Sequence, residues 1–270
     1  MKYGMLAGNG RFPVLALETA RRLGDEVVAI CLKEEASPEI EQLAAKCYWI
    51  SLGELGKLID ICKKEAIAQI IMAGQVKHAK IFSSIRPDWR LIKLLASLKE
   101  RNTDALIGGV ARVLESEGIQ LADSTLFLKP LLAGQGVLTK RKPTADENDD
   151  IRYGRRIAAA LAAIDVGQSV AICERACVAV EAMEGTDAML RRAATLANGR
   201  PLTLVKASNR RHHMLFDVPV IGLETIAVMA ETGTTALAVD AGRTLLLDRE
   251  ALLEKANQLQ LAIDSYRSST

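Results

Sequence analysis

Aromatic side chains are scarce, at 4% of 270 residues, and the formal net charge is only +2. Proteins that hold single strands stack bases on aromatic rings beside a basic groove. Neither resource is here, so nucleic acid is excluded as the main partner. The five cysteines are odd in number and show no metal-type pairing. Cys173 and Cys177 are four apart, on one face of a strand. All five read as reduced thiols in a cytoplasmic protein, mostly buried. No apolar run reaches the length of a membrane span. Met1–Ala7 is too short for the apolar region of a signal peptide before it meets a glycine loop, so none is expected.

What the chain does have is a hydrophobic half, 49% of its residues, enough for a substantial core. Apolar runs of strand length alternate with helix-length amphipathic segments. Residues 3–7, 27–32, 48–50, 69–73 and 120–122 read as strands. Helices are expected over 13–23, 38–46, 52–65, 88–101 and 103–117. This alternation predicts an N-terminal Rossmann-like domain with a parallel sheet over residues 1–130. Composition then shifts through a glycine-rich, basic and proline-broken stretch. Residues 131–146, with Lys140-Arg141-Lys142, read as a linker that is either solvated or turned toward phosphate. Residues 147–270 read as a C-terminal mixed-sheet α/β domain. Its strands are separated by both hairpin-length and helix-length links. Its final helix is expected from Asp248 to Tyr266.

Two places carry chemistry. After the first strand comes Gly8-Asn9-Gly10-Arg11-Phe12-Pro13. Gly8 and Gly10 suit either a permissive turn or a backbone that approaches a phosphate. The third glycine of a dinucleotide fingerprint is replaced by Pro13, and Glu34 and Glu35 are the nearest acids after the second strand. Lys77 and His78 leave a later strand on the same edge, where either can reach an anion. The second place is Val180-Glu181-Ala182-Met183-Glu184-Gly185-Thr186-Asp187-Ala188-Met189-Leu190-Arg191-Arg192, a strand, a glycine turn and a helix. Thr186 is placed as N-cap of a helix starting near Asp187. Glu184 and Asp187 there either cap and solvate the helix end or hold Mg²⁺, which in turn holds phosphate oxygens. Glu184, Asp187, Asp217 and Asp240 each end or follow a strand. Neighbouring strands would let them converge as metal ligands; otherwise they are separate surface acids.

Several stretches occur together: Ala7–Pro13, Thr103-Asp104, Asp165–Gln168, the Val180–Arg192 block and Phe216-Asp217-Val218-Pro219-Val220-Ile221-Gly222. With them the chain resembles the LpxI-type UDP-2,3-diacylglucosamine pyrophosphatases along nearly its full length. The resemblance implies a hydrolase of lipid A (lipopolysaccharide) biosynthesis. It would cleave UDP-2,3-diacylglucosamine to UMP and 2,3-diacylglucosamine 1-phosphate with Mg²⁺. It implies two domains with a lipid product held between them, and an aspartate of the F-D-x-P motif, here Asp217, needed for turnover. On this reading Asp217, Glu184 and Asp187 are the catalytic candidates, and Glu184, Asp187, Asp217 and Asp240 the metal ligands. The substrate contacts are Gly8, Gly10, Lys77, Thr186, Arg191, Lys206, Arg210 and Arg211. The location is cytoplasmic. Peripheral contact with the cytoplasmic face of the inner membrane, and a homodimer, are both compatible with it.

One stretch departs from the family. Where its members read K-P-x-Q-D-x-R, this chain has Asn209-Arg210-Arg211-His212-His213-Met214-Leu215. Arg210 and Arg211 are expected to replace the missing arginine, because a guanidinium forks onto phosphate and keeps its charge. The alternatives are a non-catalytic or diverged nucleotide- or lipid-phosphate binder of the same fold, favoured by that departure, and a nicotinamide-dependent oxidoreductase, suggested only by the first glycine loop.

Overall fold

A computed structural model of the chain describes residues 1–76, 86–99, 103–209, 214–216 and 218–267, the side chains of 103 and 104 excepted. The chain divides into two compact units. The first holds Met1–Lys129 and His213–Phe216, and the second Pro130–His212 and Asp217–Thr270.

In the first unit the strands are β1 (Lys2–Ala7), β2 (Glu26–Leu32), β3 (Lys46–Ile50), β4 (Gln69–Ala73) and β5 (Gln120–Leu121). They form one sheet in the order β3-β2-β1-β4-β5. Every pairing in it is parallel. Parallel neighbours need a crossover, and helices supply it. These are α1 (Arg11–Leu23), α2 (Ile40–Leu43), α3 (Leu55–Lys64), α4 (Trp89–Ser97) and α5 (Thr103–Ser116). The core under α3 joins Leu58, Ile59 and Cys62 to Val28, Ile30 and Ile70 of the sheet. The helix expected over 38–46 is a single turn. Lys46 has already joined β3, where its ammonium and the Tyr48 hydroxyl both donate to the buried carboxylate of Glu65.

Gly8 has a packing reason. Asn9 and Gln75 exchange backbone hydrogen bonds of 2.7 and 3.0 Å, which clamps the loop after β1 to the loop after β4. A Cβ on Gly8 would stand 2.5 Å from the Gln75 carbonyl oxygen. The close approach is therefore between two backbones. Gly10, at φ +95°, opens α1 with nothing above it. Lys77 and His78 lie outside the described residues.

The second unit carries β6 (Gly136–Val137), α6 (Ala145–Ala163), β7 (Ser169–Cys173), β8 (Ala176–Val180) and α7 (Thr186–Ala197). Then come β9 (Leu202–Lys206), β10 (Val220–Ile221), α8 (Leu223–Glu231), β11 (Thr234–Asp240), β12 (Leu245–Leu246), α9 (Arg249–Gln258) and β13 (Ala262–Tyr266). Its main sheet runs β6-β13-β11-β9-β7-β8, and β10 pairs with β12 apart from it. The sheet is mixed: β9, β11 and β13 are parallel, while β7 opposes β9 and β8 opposes β7. One face is covered by α6, through Ile151 and Ala158 against Val170, Ile172, Val205 and Ala238. The other packs Met189 and Leu190 of α7, Ile226 of α8 and Leu252 of α9 against Leu204, Leu237 and Val239.

Two expectations change here. The last helix stops at Gln258, and Gln260 turns the chain at φ +54°. Ala262-Ile263 then enters the sheet beside β11, where helix would have left that edge open. Residues 131–146 belong to the second unit: β6 pairs with β13, and Arg141 makes two 2.8 Å hydrogen bonds to the Glu147 carboxylate. Glu147 closes a capping box with Thr144 at the start of α6 and accepts from the Thr235 hydroxyl at 2.6 Å. Burial works to raise its pKa. Arg141, Thr235 and the Thr144 N–H outweigh it and hold the carboxyl at about 2.

That depressed value sets a stability prediction. An unfolded glutamate titrates near 4.3. The stabilisation of the ionised form is complete above about pH 5 and is lost as pH falls through 4 toward 2, roughly 3 kcal/mol in all. Glu147→Gln should flatten that acid limb in urea unfolding followed between pH values of about 6 and 2.5. Arg141→Ala should cost about 3 kcal/mol at neutral pH, because it strands a buried charge. An unchanged urea midpoint would make the pair ornamental.

Candidate functional site

The ends of β9, β11 and β13 share one edge of the second sheet with the start of β7 and the end of β8. That edge gathers Lys206, Asp240, Ser169 and Glu181. Side chains alternate along a strand, so Lys206 shares the α7 face with Leu204, and Ser169 shares it with Ala171. Beyond β8 the chain turns at Gly185, whose φ of +83° and ψ of 163° lie where only glycine rests without strain. Gly185, rather than Thr186, is the N-cap of α7, and a glycine has no side chain with which to cap that end. The N–H groups of the first turn have no intrahelical partner.

Thr186 has a different task. Its hydroxyl donates to Glu181 Oε1 at 2.9 Å, accepts from Lys206 Nζ at 2.9 Å and meets Ser169 Oγ at 3.1 Å. Glu181 is buried, and Gln168 N–H reaches its other oxygen at 3.4 Å. Burial acts to raise the Glu181 pKa. The Lys206 charge and the hydroxyls of Ser169 and Thr186 more than reverse this, so the carboxylate is ionised. Lys206 is only 7% exposed. The bond to Thr186 is the one hydrogen bond its ammonium makes among the described residues. Among the described residues two donors of a buried cation are thus left beside the N-terminus of α7. Asp187, next on the helix, is half-buried and accepts one bond, 3.3 Å from Thr225 Oγ1. Burial pushes its carboxyl upward, and Thr225 and Lys206 offset part of that.

Thr186, Asp187 and Lys206 are therefore brought together. Glu184 is not with them: its Oε1 accepts from Arg192 at 2.5 Å, and its Oε2 from Ala182 N–H at 3.0 Å. Arg191 is turned away to Glu231 on α8, with contacts of 3.0 to 3.2 Å. Asp240 follows Val239, which faces α7, so it points to the α6 side. Its Oδ2 accepts from Ser208 N–H and Oγ at 2.8 Å, and its buried Oδ1 has no partner among the described residues. Asp240 is thus set apart from the expected convergence of acids, and the part of that expectation that involves Asp217 lies outside the described residues. Among the described residues no three histidine, cysteine, aspartate or glutamate side chains group as a metal site. Asp217, Arg210, Arg211, His212 and His213 lie outside the described residues. Glu181 and Ser169 were missed as site residues. Glu181 is two places after buried Ala179, and a period-of-two count along β8 would have placed its carboxylate on the buried face.

The fold and this site define a two-unit α/β protein whose second unit sets a buried lysine beside a helix N-terminus. The LpxI N-terminal domain model matches residues 2–139, and the LpxI C-terminal domain model residues 134–264. The chain belongs to the LpxI family. A relative named UDP-2,3-diacylglucosamine pyrophosphatase LpxI, from Caulobacter vibrioides, is 32% identical over 97% of this chain and 96% of its own length. Among solved structures, the biotin carboxylase domain of a Hydrogenobacter thermophilus carboxylase is 12% identical, with a TM-score of 0.28, over 73% of this chain and 41% of its own. A Stenotrophomonas maltophila UDP-glucose-4-epimerase is 11% identical, with a TM-score of 0.28, over 44% of this chain and 34% of its own. Likenesses that low decide nothing about fold or chemistry.

Proposed function

We propose that this chain hydrolyses the pyrophosphate bond of UDP-2,3-diacylglucosamine to UMP and 2,3-diacylglucosamine 1-phosphate, with Mg²⁺ as cofactor, at the cytoplasmic face of a membrane. The name of the Caulobacter relative supports the reaction. The observation that carries the site is Lys206, a buried ammonium that makes one hydrogen bond among the described residues, beside the glycine-capped start of α7. Helix N-termini receive phosphate through their N–H groups and dipole. A lysine in a dry setting adds a full charge that acts strongly on the phosphoryl oxygens. Glu181 and Ser169 hold the Thr186–Lys206 pair in place. The ammonium and the helix end orient the phosphate groups, and the positive charge steadies the leaving phosphate as it gains charge.

Mg²⁺ needs only one or two carboxylates when substrate phosphate and water complete its shell. Asp187 fits that need, being a half-buried carboxylate with one long hydrogen bond. Asp217 is assigned as its companion by the family resemblance. Glu184, held by Arg192, and Asp240, on the opposite face, do not fit. When bound, the ion would neutralise pyrophosphate oxygens.

The test is purified protein with UDP-2,3-diacylglucosamine and Mg²⁺, followed by UMP release. Stoichiometric binding of the substrate without UMP would leave the non-catalytic reading instead.

A further inference from the structure

The outer side of α6 takes no part in the site. Arg152, Arg156, Ala160 and Ala163 recur at helical spacing and are all exposed. The first turns of this stripe are basic. Arg152, Arg156, Tyr153, Asp149 and, from the β7–β8 turn, Arg175 line an open groove of about 410 Å³. Arg152 and Arg175 both reach Asp149, and Arg156 lies over the Tyr153 ring. The groove lining thus holds three guanidinium groups and one carboxylate, which pairs with two of them. Arg152 and Arg175 keep 72% and 66% of their side chains in solvent. The far end of the stripe is apolar: Ile164 is 64% exposed and Val166 43%. Gln168, two residues on, bonds the Glu181 carboxylate, so this end runs into the proposed site. Among the described residues no helix is long and apolar enough to cross a membrane.

We propose that this face of α6, with Arg175, docks the protein on an anionic phospholipid bilayer. Arginines meet headgroup phosphates, and Ile164 and Val166 enter the boundary with the acyl chains. Basic side chains on an exposed face are drawn to anionic lipid, and apolar side chains exposed beside them add burial at the headgroup boundary. A compact anion would be held by buried donors, whereas these arginines are spread and solvated, as suits a charged surface. The inference rests on the proposed substrate, a diacylated molecule that resides in a bilayer, and gives that reading a docking surface.

The experiment is flotation of the full chain with vesicles of phosphatidylcholine alone or with phosphatidylglycerol added, at low and raised salt. The second protein is Arg152→Gln/Arg156→Gln/Arg175→Gln, three exposed changes, with its urea midpoint measured beside wild type. Each arginine near an anionic surface contributes enough that the triple variant should lose roughly a hundredfold in partitioning to anionic vesicles. Its turnover of detergent-dispersed substrate should stay within about twofold, since no site contact changes. Ile164→Asn should weaken binding at raised salt, where charge is screened. Equal binding to neutral and anionic vesicles overturns the proposal, as does a triple variant that floats like wild type. Self-association lost on the same substitutions, without vesicle binding in wild type, would assign the face to a second copy and also overturn it. Vesicle binding that follows the arginines while no UMP is released in detergent would sink the chemical reading and leave the surface standing.

Discussion

Replacing Lys206 with methionine is expected to lower kcat/KM by about two to three orders of magnitude, the cost of removing one preorganised charge from a transition state. Methionine keeps most of the apolar stem that fills the end of β9. The loss should fall mainly on kcat if the ammonium meets charge that develops during cleavage, and on KM if it only holds substrate. The change also strips Glu181 of the cation that keeps it ionised while buried. Some stability must go with it, about 1 to 3 kcal/mol, because the two charges meet through the Thr186 hydroxyl rather than directly. The double change Lys206→Met/Glu181→Gln separates the two effects. It should restore much of the urea midpoint, because neither charge is then stranded, and none of the turnover. A double variant that recovers both would reduce Lys206 to a structural residue.

Removing divalent ions should abolish UMP release, by more than about a thousandfold, with recovery when Mg²⁺ is returned. A pyrophosphate carries charge that a single lysine and a helix end do not balance, and the ion supplies the remainder. Asp217→Ala should show a comparable loss at unchanged stability, and Asp187→Asn a smaller one with an Mg²⁺ requirement shifted upward. Glu184→Gln should act only weakly, since its carboxylate already answers Arg192. Turnover undiminished in excess chelator would remove the metal, and with it the assignments of Asp187 and Asp217.

Much of this was legible in the chain and some was not, for identifiable reasons. The strand, glycine turn and helix around Gly185 announce themselves, because a positive φ between an apolar run and a run of helix formers has few other readings. Lys206 could be named from its place at a strand end. What it touches could not, since that depends on β7 and β8 lying beside β9 with Ser169 at the same edge. The acids at strand ends were a weaker guide. Ala238 and Val239 are both buried, one on each face of the sheet, so no alternation of polar and apolar residues told which way Asp240 would point. The same double burial disguised β13. Leu261-Ala262-Ile263 continues a helical run plausibly, and only the vacancy beside β11 selects strand. Arg141 was read as linker because its partner lies in the capping box of the next helix. The place of Asp217 after a strand marked it only as one of four acids, and the family resemblance supplied its role in turnover.

The Arg141–Glu147 knot bears on where the chain can be cut. A fragment starting at residue 147, where the sequence places the start of the second domain, would discard β6, Arg141 and the Thr144 cap. It would leave Glu147 buried without its cation and β13 with a bare edge. A fragment starting at Pro130 keeps all of these. Anyone separating the halves should expect the longer piece to be soluble and the shorter one to aggregate through that edge.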